Sequence, residues 1–100
     1  MTTTDGSARD PHDELMECRN AIEVVDQRII SLLAQRVALA LRAARAKRDA
    51  GLPIVNPDRE ADVIQAAIAA ASVEGLPADP VREIFQQIVG ISRRAQESAQ

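Results

Sequence analysis

The sequence predicts an all-α protein, and three observations carry that prediction. Of its 100 residues 46% are hydrophobic, yet Phe85 is the single aromatic side chain and Ala, Leu, Ile and Val supply nearly all the rest. No alternating apolar and polar run of strand length occurs, and no internal repeat with a period of about 20 to 50 residues is visible. The stretch from Asp10 to Gly51 contains no internal Gly and only Pro11, at its start. Asp10-Pro11 is an N-cap and first-turn pair, and Gly51 is suited to the left-handed residue that ends a helix.

That stretch reads as one helix of about 40 residues, roughly 60 Å long at 1.5 Å per residue. A compact monomer of this length has a radius of gyration of about 13 Å, so a second chain is needed to cover such a rod. The chain is therefore expected to form a homodimer. Stepping alternately by three and four residues gives Leu15, Cys18, Ile22, Val25, Ile29, Leu32, Arg36, Leu39, Ala43 and Ala46, a heptad-like seam. Arg36 is foreign to a seam, because an unpaired buried charge costs several kcal/mol and requires an anion. Lys47 follows three helical turns later, pointing almost the same way about 16 Å along the axis, so two cationic arms can converge on one small anion. Arg19 lies roughly 25 Å before Arg36 and about 100° around the helix, out of reach of the same ligand within one chain. In a symmetric antiparallel dimer it can reach the partner's site.

Charge and composition exclude several functions. A net charge of −3 argues against a general nucleic-acid binder. Arg42, Arg45 and Arg48 read as solvated cations that complement the dipole at the end of the first helix. The single Cys18 excludes an intramolecular disulfide and reads as a small buried hydrophobe rather than a reactive thiol. His12 is expected to be exposed, without a metal or catalytic partner. Residues 1–9 read as a polar, disordered tail before one domain spanning 10–100. With no signal-peptide core and no membrane-length apolar run, a cytoplasmic location is expected.

After Gly51 a short loop leads to Asn56-Pro57, the N-cap and first residue of a second helix reaching about Ser72. Ala61, Ile64, Ala67, Ile68 and Ala71 form its packing stripe. Asp58 and Glu60 suit any first turn, whereas Arg59 opposes the dipole there and implies an anion to hold. Gly75-Leu76-Pro77 makes a turn, and Asp79-Pro80 signals a third helix from about Pro80 to Glu97. Its apolar face is Val81, Ile84, Phe85, Ile88, Val89 and Ile91. Ser92 and Gln96, four apart, share one side of it; taken alone, such residues are more often surface positions than ligands.

The ordered set of Cys18-Arg19-Asn20, Leu32-Leu33-Ala34-Gln35-Arg36, Ala46-Lys47, Asn56-Pro57-Asp58-Arg59-Glu60, Phe85-Gln86, and Ser92 with Gln96 resembles the all-helical, AroQ-class chorismate mutases. The match runs from Leu15 to Gln96, and its specificity lies in the combination. The resemblance implies an intertwined homodimer of three-helix subunits with two sites built from both chains. It implies that Arg19 of one chain and Arg36 of the other hold one substrate carboxylate, while Arg59 and Ser92 help fix the second. Glu60 and the backbone N–H of Asn56 would receive the ring hydroxyl. Lys47 and Gln96 would hydrogen-bond the ether oxygen. Family members often carry Asp where this chain has Asn56, a departure that matters only if the side chain touches substrate.

Such residues suffice for the implied chemistry without nucleophile, metal or cofactor. Chorismate to prephenate is an intramolecular [3,3] rearrangement, which needs a compact diaxial conformer and stabilisation of the breaking C–O bond. Arg clamps impose the first, since guanidinium pairs bidentately with carboxylate. Donors such as Lys47 and Gln96 supply the second, at about 2.7 to 4 kcal/mol each in a dry site. With conformational restriction this reaches the roughly 8 kcal/mol of a millionfold acceleration. Three other readings compete: a 4-amino-4-deoxychorismate mutase of secondary metabolism, an isochorismate-pyruvate lyase, and a helical dimerisation module without chemistry. An intact Arg59-Glu60 pair argues against the lyase, and a structural seam gives no reason to align Arg36 with Lys47. Stimulation by a partner enzyme of the shikimate pathway is left open by the sequence.

Overall fold

The computed structural model describes residues 10–99, so the tail expected over residues 1–9 lies outside the described residues. Three helices follow one another: α1 (Pro11–Asp49), α2 (Pro57–Val73) and α3 (Ala78–Ser98). Local chemistry sets their ends. The Asp10 carboxylate accepts from the His12 N–H at 2.9 Å, satisfying a first-turn donor of α1. At the other end Gly51 adopts φ 72°. Its N–H donates to the Arg48 carbonyl at 3.1 Å, and the Leu52 N–H donates to the Lys47 carbonyl at 2.8 Å. This paired closure is a Schellman motif, which requires a left-handed residue.

The same logic governs α2. The Asn56 side chain accepts from the Arg59 N–H at 3.1 Å, with Pro57 in the first turn. Gly75, at φ 73°, ends the helix. Here Leu76 N–H reaches the Ala71 carbonyl at 2.8 Å and Gly75 N–H the Ser72 carbonyl at 3.2 Å. The α3 start differs from expectation. Pro77 is its N-cap, without a side-chain bond, and Asp79 sits inside the first turn, where its carboxylate accepts from Arg82. Pro80 is tolerated there because first-turn N–H groups have no intrahelical acceptor.

By packing, the chain divides into Met1–Leu32 and Leu33–Gln100. In the first unit every residue from Pro11 to Leu32 is exposed, including Leu15, Ile22, Val25, Ile29 and Leu32. Cys18, expected as a buried hydrophobe, is exposed with the seam residues around it.

In the second unit α2 and α3 pack on one another, and the α1 residues from Leu33 onward present a covered stripe. That stripe is Leu33, Arg36, Val37, Ala40, Leu41, Ala44 and Lys47, of which Ala44 is buried and the others half-buried. Leu39, Ala43 and Ala46, expected to continue the seam, are exposed. A strict heptad drifts by about 20° per seven residues on a straight helix, and a globular packing face is broader than an a/d seam. On α2 the stripe holds at Ile64, Ala67, Ile68 and Ala71, but Ala61 is exposed and Val63 is covered instead. On α3 Val81, Phe85, Ile88 and Val89 are covered, whereas Ile84 and Ile91 are exposed. Among the described residues no helix is long and apolar enough to cross a membrane.

Two glycines predict opposite stability effects. A Cβ on Gly51 would meet no atom within 4 Å, so Gly51→Ala carries only the left-handed backbone cost, about 1–2 kcal/mol. Gly90 lies within α3, where a Cβ would meet Arg94 at an ordinary 3.6 Å, and Gly90→Ala should stabilise by about 0.5–1 kcal/mol. Asn56→Ala should cost about 1 kcal/mol through loss of the α2 cap, whereas Asn56→Asp retains the acceptor. Urea midpoints at one fixed protein concentration test all three.

Candidate active site

A cavity of about 130 Å³ lies within the Leu33–Gln100 unit. The covered stripe of α1 contributes Arg36, Ala40 and Lys47, and the α1–α2 loop contributes Ile54 and Asn56. The first turns of α2 bring Arg59, Glu60 and Val63, and one face of α3 brings Val89, Ser92, Arg93 and Gln96. Seven of the eight residues expected at a substrate site thus line one wall system: Arg36, Lys47, Asn56, Arg59, Glu60, Ser92 and Gln96. Arg19 belongs to the other unit and is exposed.

Hydrogen bonds fix these groups without exhausting them. Arg36 Nη1 donates to Ser92 Oγ at 2.7 Å, and Ser92 is only 6% exposed. Four guanidinium N–H donors and the Ser92 hydroxyl proton remain for a ligand. Lys47 Nζ donates one bond to the Ile54 carbonyl at 3.1 Å and keeps two donors. Gln96 Nε2 donates to the Ala40 carbonyl at 2.9 Å, which holds its amide against α1 and leaves a second N–H. Ser92 and Gln96 are therefore covered residues lining the cavity, not the surface positions that their residue types alone suggest.

The charges are unequal. Among the described residues, Arg36, Lys47 and Arg59 have no carboxylate within salt-bridge distance. The one lining carboxylate, Glu60, is engaged by Arg93, whose Nε donates to Oε2 at 3.2 Å and whose Nη2 donates to Oε1. Hydrogen bonding and charge from Glu60 raise the Arg93 guanidinium above its ordinary value, with Glu97 adding a smaller charge effect. Arg93 was not among the residues that the sequence singled out. The available signal was its spacing: it precedes Gln96 by three, so these two are neighbours on the helix surface.

A small, partly enclosed pocket with three cations lacking carboxylate partners can take a compact polyanion and orient it bidentately. Among the described residues no group of three or more His, Cys, Asp or Glu side chains could hold a metal ion.

Comparison with known proteins identifies the family. Residues 18–97 match the model of the family Chorismate mutase type II. The chain is 32% identical over 76 residues to the T-protein of Enterobacter agglomerans, covering 76% of this chain and 20% of that protein. It is 30% identical over 84 residues to the bifunctional chorismate mutase/prephenate dehydratase of Escherichia coli K12, covering 84% of this chain and 22% of that protein. A chorismate mutase of Methanocaldococcus jannaschii is 40% identical over 48 residues, 48% of each chain. The chain thus spans about a fifth of the first two relatives' length. On the extent of the family match, this chain belongs to the chorismate mutase type II family.

Proposed function

We propose that the chain is a chorismate mutase, an isomerase converting chorismate to prephenate by conformational restriction and electrostatic stabilisation of the ether oxygen. The observation that carries this reading is the convergence of Arg36, Lys47 and Arg59, none held by a carboxylate among the described residues, on one small cavity. The substrate is a dicarboxylate. Arg36, steadied by Ser92, clamps the carboxylate of the enolpyruvyl arm, and Arg59 with Ser92 receives the other. With both ends fixed, the flexible molecule is held near its reactive chair, which replaces an entropic search.

Lys47 and Gln96 then address the bond that breaks. Each retains donors after its protein bond, and each is oriented by that bond before substrate arrives. Donors fixed in advance favour the oxygen most when it carries the developing negative charge, so they act on the transition state rather than on binding. Glu60 and the Asn56 backbone receive the ring hydroxyl. No proton transfer, nucleophile or cofactor enters this sequence of events. The pairing of chorismate mutase with prephenate dehydratase in the bifunctional relatives fits prephenate as a product passed to a further enzyme. A cytoplasmic location accompanies this reading.

The site is shared in a homodimer. Leu15, Ile22, Val25, Ile29 and Leu32 are between 44% and 60% exposed in the single chain, an apolar face that a second copy would cover. Arg19, on the same stretch, then completes the carboxylate clamp of the second copy's site.

Arg36→Ala should lower turnover about 10²–10³-fold while sedimentation still reports a dimer. Dissociation without specific loss of activity would favour a structural module. Lys47→Ala should reduce kcat by a similar factor with little change in KM, and a rise in KM alone would contradict its role. Mixing inactive Arg19→Ala and Arg36→Ala chains should restore about a quarter of the sites, because half the randomly paired dimers carry one intact site. No recovery would place Arg19 outside a shared site.

A further inference from the structure

The established family and the proposed reaction leave one lining charge without a task, Arg93. It stands at the cavity wall, and its guanidinium grips both oxygens of Glu60, the one carboxylate lining that cavity. We propose that Arg93 is a specificity-determining residue that makes the site select a neutral hydroxyl over an ammonium at the ring position Glu60 receives. The proposal rests on the mutase reading, in which Glu60 faces that ring substituent.

An isolated carboxylate beside the ring would attract an ammonium more strongly than a hydroxyl, because only the former gains charge pairing. Arg93 removes that advantage by balancing the Glu60 charge in advance. Each carboxylate oxygen still has a second lone pair, so a hydroxyl can donate to Glu60 with Arg93 in place. An ammonium at the same point would face the Arg93 guanidinium as a like charge within a few ångströms. Arg36, Lys47 and Arg59 line the same cavity and add to that positive field. Arg93 is 44% exposed at its side chain and Glu60 23%, so water screens the contrast and sets its scale near tenfold rather than thousandfold.

The test is the ratio of kcat/KM for chorismate to kcat/KM for 4-amino-4-deoxychorismate, measured on the full chain and three variants. Wild type should favour chorismate. Arg93→Met and Arg93→Gln, both uncharged at an exposed position, should move the ratio about tenfold toward the amino substrate. Arg93→Lys keeps the charge and should move it less than about threefold. An unchanged ratio in both uncharged variants, with wild type turning over chorismate, overturns the role of Arg93 and leaves the mutase reading intact. A lysine variant that behaves like the methionine variant also overturns it, as does a wild-type preference for the amine. Wild type idle on both substrates overturns the mutase reading itself.

Discussion

A guanidinium on a packed helical face shapes everything around it. Arg36 sits in the covered stripe of α1, where an apolar residue would have satisfied packing with no further demand. Instead its charge needs polar company, and Ser92 provides it from α3 at 2.7 Å. Among the described residues Ser92 is in turn the one buried polar residue, and its hydroxyl would be costly without that donor. Four residues along α3, Gln96 repeats the arrangement by donating to the Ala40 carbonyl. Two polar ties therefore line up along adjacent turns of α1 and α3, and the cavity is the space they leave.

The most deeply buried apolar side chains of this unit are small ones, Ala44, Ala67, Ala71 and Val89, while larger groups such as Ile64, Phe85 and Ile88 are half-buried. Small side chains permit close approach of helices but supply little buried area, at about 25 cal/mol per Å². Other large apolar groups, including Ile22, Ile30 and Leu39, are exposed in the single chain. In the proposed dimer, a second copy would add the apolar burial that these exposed groups lack.

Sequence alone revealed much of this because the informative residues act locally. Asp10, Asn56, Gly51 and Gly75 each fix a helix end through bonds within a few positions, so their residue types carry the message. Arg36 and Arg59 were legible as misfits, charges placed where helix packing or dipole disfavours them. The failures have a common cause: they concern which face of a helix a neighbour covers. Leu39, Ala43, Ala46 and Cys18 are exposed in the single chain, outside the stripe that α2 and α3 cover. Arg93 escaped notice because its partner Glu60 lies 33 positions earlier on another helix, a distance no periodicity reports. At the α3 start, Asp79-Pro80 was a true first-turn signal read two residues late, since Pro77 holds the capping position without a side-chain acceptor.

The two ties across the cavity, Arg36 to Ser92 and Gln96 to Ala40, each join residues 56 positions apart. The turn from α2 into α3, by contrast, closes through neighbours, ending in the short-range bonds of Gly75 and Leu76. In folding, the α2–α3 hairpin can form while the chain is otherwise open, because its loop-closure entropy is small. The cavity exists only after the longest loop in the unit has closed. Local fraying of α3 would dissolve both ties together, so hydrogen exchange at the α3 C-terminal turns reports directly on how much of the population holds an assembled site.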